Sequence, residues 1–221
     1  MKTGTADRIK VWDPLVRLFH WTLVISFTVA YVTGEEGDLV HFYSGYVIAG
    51  LLLFRLVWGF IGSRHARFAD FVRSPREVIE YTRSLFSGHP RRYLGHNPAG
   101  GVMVILLLLS LSGTVVTGLM LDPAFDSVVL EGSVSNRVLL GDDDEERGEG
   151  YEEEDDEREG GMEGPGGEGN EVVEEWHEVL ANLTLLLVIL HIAGVVVSSR
   201  LHRENLVRAM ITGYKPRDPE A

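Results

Sequence analysis

This 221-residue chain contains no cysteine. That excludes disulfides, thiolate metal sites, iron–sulfur ligation and any cofactor attached through a cysteine thioether. No set of side chains resembles an acid–base or nucleophilic machine, so reactive chemistry would belong to a bound group. Charge is missing from long stretches: between Val179 and Val197 no side chain is charged. The net charge of −13 has a local origin. Residues 142–175 hold 18 Asp and Glu against Arg147 and Arg158, a net of −16 that leaves +3 for the remainder. The mean hydropathy of +0.05 therefore averages one acidic segment with a strongly apolar chain. No nucleic-acid partner is expected from this balance.

Four apolar runs are long enough to cross a bilayer as helices, at about 15–34, 41–62, 99–121 and 177–199. A signal peptide competes for the first, but Ala30-Tyr31-Val32 is a poor cleavage site and His20 and Trp21 interrupt the apolar core. Small residues recur every fourth position: Ser26, Ala30 and Gly34; Gly45 and Ala49; Ser110, Thr114 and Gly118; Gly113 and Thr117. Such faces let a helix or a flat cofactor approach closely. The third run has no histidine. The fourth has two, His177 and His191, 14 residues apart. On a helix they fall within about 40° of each other and about 21 Å apart along the axis. An ionisable residue in a membrane helix is costly and by default marks a function.

The loops fix a topology. Residues 63–98 carry Arg64, Arg67, Arg73, Arg76, Arg83, Arg91 and Arg92, and both termini are basic, whereas 35–40 and 122–175 are acidic. Positive loops stay inside, so four spans place both termini in the cytoplasm. Ser74-Pro75-Arg76-Glu77 predicts a helix over 75–86, and Asn205 to Gly213 predicts another. Residues 142–170, rich in Gly, Glu and Asp, are expected to be disordered within the outer loop. That acidic run is a solvated linker or a docking site for a basic partner.

Depth follows from topology. His20 and His191 lie toward the inner side, His41 and His177 toward the outer side. Two facing imidazoles suit haem iron with two axial nitrogens. Zinc or copper would also take imidazole, though zinc usually wants four ligands. A histidine-lined transporter or metal-binding channel is the rival, but it would call for polar spans and usually an internal repeat, and neither is present. Arg55, 14 residues after His41, either reaches a carboxylate at the depth of the inner pair or snorkels to the interface. His65, His89 and His202 are expected to be solvated. His96 is expected to cap or order the start of the third span, or to contact a propionate or quinone.

The segments VWDPLVRLFHW, HFYSGYVIAGLLLFRLVWGFIGSRHARFADF, YLGHNPAGGVMV, LLSLSGTVVTGLML and WHEVLANLTLLLVILHIAGV together resemble the prokaryotic cytochrome b561 family, with its cytochrome b subunits of nickel–iron hydrogenases. The resemblance implies an all-α integral membrane protein, a four-transmembrane-helix bundle in the bacterial inner membrane binding two non-covalent b haems. It implies His20, His41, His177 and His191 as axial ligands. It further implies electron exchange with quinone on the inner side and with a protein outside, such as a hydrogenase or a soluble cytochrome. The acidic insert departs from the family's usual short outer loop.

Overall fold

The computed structural model describes residues 8–34, 39–88, 91–122, 125 and 167–217. In chain order these form β1 (Arg8–Lys10), α1 (Pro14–Val32), α2 (Leu39–Ile61), a 3-10 turn (Arg64–Ala66), α3 (Phe68–Phe71), α4 (Pro75–Phe86), α5 (Pro98–Met120), α6 (Gly167–Leu201), α7 (Leu206–Thr212) and β2 (Tyr214–Pro216). Four helices are long and apolar enough to span: α1, α2, α5 and α6 from Asn170 onward.

Local chemistry starts these helices where the sequence predicts. Asp13 caps α1 by accepting from the Val16 N–H at 2.9 Å, ahead of Pro14. Ser74 caps α4, accepting from the Glu77 N–H at 3.3 Å. Asn205 caps α7, and Gly213 ends it in the left-handed conformation at φ 87°. The fourth helix begins earlier than expected, at Gly167 rather than near residue 177. Glu171, Glu174 and Glu175, part of the acidic run in sequence, lie within its first three turns. Gly167–Asn170 are thus helical, not part of a disordered insert. The rest of the 142–170 expectation lies outside the described residues.

The spans pack as two close pairs, α1 on α2 and α5 on α6, with α2 and α5 touching between them. The α5–α6 seam runs on small and hydroxylic residues. Gly113 meets Leu180 so closely that a Cβ would stand 3.0 Å from its Cδ1. Ser110 and Thr184 share a hydrogen bond of 2.6 Å, and Thr184 is 0% exposed. This is how membrane helices, with no hydrophobic drive to associate, hold together. Ala30, Ile48 and Leu111 join α1, α2 and α5 in one buried cluster. Elsewhere large apolar side chains point outward, Ile25, Leu53, Phe60 and Leu109 among them, as lipid-facing helices require.

Both termini meet at one end. β1 and β2 pair antiparallel, with Ile9 opposite Lys215. Asp13 gathers the same end, accepting from the Ser63 hydroxyl and from Trp58 Nε1. Burial would raise its pKa, but these bonds, with those from the Val16 and Leu15 backbone, hold it below the usual carboxylate value. Trp12 and Trp58 pack in or against the buried cluster of Val11, Val16, Ala66 and Ala209. At this end, then, Trp12 is a core residue.

Candidate cofactor site

His41, in the first turn of α2, and His177 of α6 meet near the end of the bundle away from the paired termini, the end expected to be the outer one. Their ring centroids are 6.1 Å apart at an interplanar angle of 72°. His41 Nδ1 lies 2.9 Å from the Ala30 carbonyl oxygen. A carbonyl only accepts, so Nδ1 carries the proton. His177 Nδ1 lies 3.0 Å from Thr117 Oγ1. The Thr117 hydroxyl gives its own proton to the Gly113 or Thr114 carbonyl, each at 3.0 Å, and therefore accepts from His177. Both rings take the same tautomer, with Nε2 as the candidate ligand. Metal-ligating histidines are held in this way, one nitrogen bonded to an outer-shell acceptor. Gly118 makes room for the His177 ring: a Cβ there would stand 2.9 Å from Cε1.

The inner residues are arranged differently. His20 and His191 lie within electrostatic range of each other, without a ring contact among the described residues. His20 Nδ1 is buried and has no hydrogen-bond partner. Arg55 is 4% exposed, with its guanidinium carbon 4.9 Å from the Phe68 ring centroid and 5.8 Å from that of Phe71. Its Nη1 is buried without a partner. The α3 aromatics cover the head group, so Arg55 does not snorkel to water.

His96 does not cap the third span; Asn97 does, its Oδ1 accepting from the Gly100 N–H at 2.7 Å. His96 instead packs between Trp12 and Phe71, with both ring centroids at 4.8 Å, and its Nδ1 is buried without a partner. Burial, reinforced by the charges of Arg55 and Lys215 and by nearby His191, pushes its pKa down to about 3. His65 is not simply solvated: its Nδ1 is 3.0 Å from Asp70 Oδ2. His89 lies outside the described residues.

These features fit haem better than a bare metal. Among the described residues no cluster of three or more His, Asp or Glu could hold a metal ion. Two imidazoles can. An imidazole nitrogen ligates a first-row metal at about 2 Å, and the ring centre lies about 1 Å behind it, so two rings on opposite sides of one ion would stand about 6 Å apart. The outer pair has that spacing. At the other end Arg55 Nη1 is buried without an acceptor, which a carboxylate-bearing cofactor would supply, and the Nδ1 atoms of His20 and His96 are buried without partners. Sequence reasoning named His20, His41, His177, His191 and Arg55 as candidates. It did not find the roles of Thr117 or the Ala30 carbonyl, because hydrogen bonds between helices leave no periodic signature. Thr117 was legible only as a member of a small-residue row.

Four membrane-spanning helices, two histidines meeting between them and one buried arginine fit a membrane cytochrome b. The chain belongs to the prokaryotic cytochrome b561 family, matching it over residues 11–213. That family binds b-type haem and carries electrons, and this chain is accordingly a multi-pass helical membrane cytochrome. It is similar to the probable Ni/Fe-hydrogenase B-type cytochrome subunit of Cupriavidus necator, 25% identical across 93% of this chain and 86% of that protein. It is 31% identical to the subunit of that name from Azotobacter vinelandii, over 45% of this chain and 52% of the relative. The probable Ni/Fe-hydrogenase 1 B-type cytochrome subunit of Escherichia coli K12 is 28% identical over 49% of this chain and 57% of its own length. No solved structure matches the chain.

Proposed function

We propose that this protein carries electrons across the bacterial inner membrane through two b haems, each held by two histidines. His41 and His177 hold the outer one, His20 and His191 the inner one. The observation that carries this reading is the outer pair: two rings 6.1 Å apart, each with Nδ1 committed to a protein acceptor. Haem iron supplies the one-electron chemistry when bound. The protein's part is to orient four imidazoles, exclude water and balance charge. Arg55 is suited to a propionate, since its buried Nη1 needs an anionic acceptor and a guanidinium pairs with a carboxylate as a fork. The basic loops and the paired termini belong on the cytoplasmic side. Quinone is the partner inside. Outside, relatives named as hydrogenase cytochrome subunits point to a nickel–iron hydrogenase, and the acidic insert points to a basic soluble cytochrome.

The test is spectroscopic. Purified protein should be red, with b-type bands in the reduced-minus-oxidised spectrum. Extraction with acid–acetone should release two haems per chain, since there is no cysteine to retain them. One haem per chain, or none, would overturn the assignment.

A further inference from the structure

Helices α1 and α6 carry His20 and His191, yet among the described residues they scarcely pack on each other. Ligands shared by one metal have to be held within about 0.5 Å of their productive positions. Helices free to splay do not achieve that. Two links bridge the gap. Toward the outer side the Tyr31 hydroxyl donates to Asn182 Oδ1 at 2.8 Å. At the opposite end the chain's own termini join.

We infer that the β1–β2 pair and the Gly213 turn form a clasp that positions His20 against His191; the inference rests on the reading that these two histidines share the inner haem. On the α1 side, the Val11 and Trp12 N–H groups both donate to the Gly213 carbonyl, at 2.9 and 3.1 Å. Arg17 Nη1 donates to the Ile211 carbonyl at 2.6 Å. Arg17 stands three residues before His20, one turn away on the same helix face. The turn closes only with glycine. Gly213 has φ 87°, and a Cβ there would stand 2.8 Å from the Trp12 carbonyl oxygen and 3.4 Å from Arg17 Nη1.

On the α6 side, β2 carries Lys215 inward to 4% exposure, where Nζ lies 3.5 Å from Glu204 Oε2. Glu204 follows the end of α6 and also pairs with Arg92. A continuous path therefore runs from the helix of His20, through the clasp, to the end of the helix of His191. A two-stranded ribbon alone is marginal in water. This one is backed by the buried cluster of Val11, Trp12, Val16, Ala66 and Ala209. Trp12 in turn touches His96, which carries the clasp to the wall of the inner site.

A ribbon that merely tidied loose ends would affect both haem sites or neither. The experiment uses the full haem-loaded chain. Haem content is measured together with the separate low-spin electron paramagnetic resonance signals of the two haems. Arg17→Ala and Gly213→Val should shift or deplete the inner signal and leave the outer one unchanged. Arg17→Ala is the milder variant and keeps the test valid if Gly213→Val does not fold. Rescue is available because the chain has no cysteine of its own. Lys10 and Tyr214 are cross-strand partners, at a separation a disulfide can span. Adding Lys10→Cys and Tyr214→Cys to Arg17→Ala should restore the inner signal when oxidised and lose it when reduced. An inner signal indifferent to both variants, equal change at both haems, or no recovery with the disulfide formed would overturn the clasp alone. Wild-type protein with fewer than two haems, or His20→Ala and His191→Ala removing different haems, would overturn the parent reading and the clasp with it.

Discussion

His41 and His177 meet edge to face with ring centroids 6.1 Å apart, and each commits Nδ1 to an acceptor on a neighbouring helix. If they share one iron, His41→Ala and His177→Ala should each remove the same haem and leave the same residual spectrum. His20→Ala and His191→Ala should remove the other. Matching residual spectra from His20→Ala and His177→Ala would show the pairing to be wrong.

Thr117 should matter without touching iron. Its hydroxyl accepts from His177 Nδ1 and so fixes the tautomer and ring plane. Removing such an outer-shell partner typically weakens metal binding by about 10- to 100-fold. Thr117→Val, which keeps the shape, should therefore lower outer-haem retention in a titration of haem-depleted protein, while Thr117→Ser retains it. Equal haem affinity for Thr117→Val and wild type would remove Thr117 from the site.

How much of this was legible beforehand depends on the kind of signal. The four spans were, because apolar length is a local property. The starts of α4 and α7 were, because Ser74 and Asn205 act within three residues of themselves. The histidines were legible as candidates only, because a titratable side chain in an apolar run stands out. The environment of His96 was not: Trp12 and Phe71 reach it from distant stretches, and no periodicity marks that meeting. Nor was the terminal strand pair, since three-residue strands carry no alternating pattern of their own. The early start of α6 was missed because its glutamates read as part of an acidic linker. Their place in a helix becomes evident only once the N-terminus is located.

Arg55 should set the potential of the inner haem. A buried cation disfavours the oxidised, more positive iron. Arg55→Leu should therefore lower the inner midpoint potential by about 60 mV or more, equivalent to about 1.4 kcal/mol for one electron. Arg55→Lys keeps the charge and should shift it less, though it loses the fork geometry. The outer potential should hold still. Redox titration of the two haems checks this, and equal shifts at both would mean that Arg55 acts through the fold.

His96 predicts a pH dependence of stability. In the folded protein its pKa is pushed down to about 3, chiefly by burial, from the ordinary value of 6.5. Between those values the unfolded chain binds a proton that the folded chain does not. Stability from this residue is thus fully present above pH 6.5 and falls as pH drops toward 3. His96→Phe should flatten that part of the slope. Thermal unfolding in detergent at pH 7.5 and 5 should show a smaller difference for the variant than for wild type. An unchanged difference would place the acid sensitivity elsewhere.

The acidic insert poses the last question, whether its charge has a target. Residues 142–166 hold 14 Asp and Glu against two Arg, a net of −12. The chain leaves the bundle for this segment at Asp122, whose carboxylate takes the Tyr46 hydroxyl, and returns in α6, ten residues before His177. The charge is therefore tethered at the end of the bundle that holds the outer histidines. Concentrated charge there steers an oppositely charged partner, raising its encounter rate in a way that ionic strength removes. Deleting residues 142–166 spares the described part of α6 and every candidate ligand, so both haem spectra should be unchanged. Electron exchange with a basic soluble cytochrome should slow at low salt and differ little from wild type at high salt, where the Debye length shrinks to about 3 Å. Exchange with a neutral dye of similar potential should be unaffected at any salt, which separates lost steering from a damaged haem. If the basic cytochrome reacts equally fast with both forms at low salt, the insert is a solvated linker and its charge serves no docking.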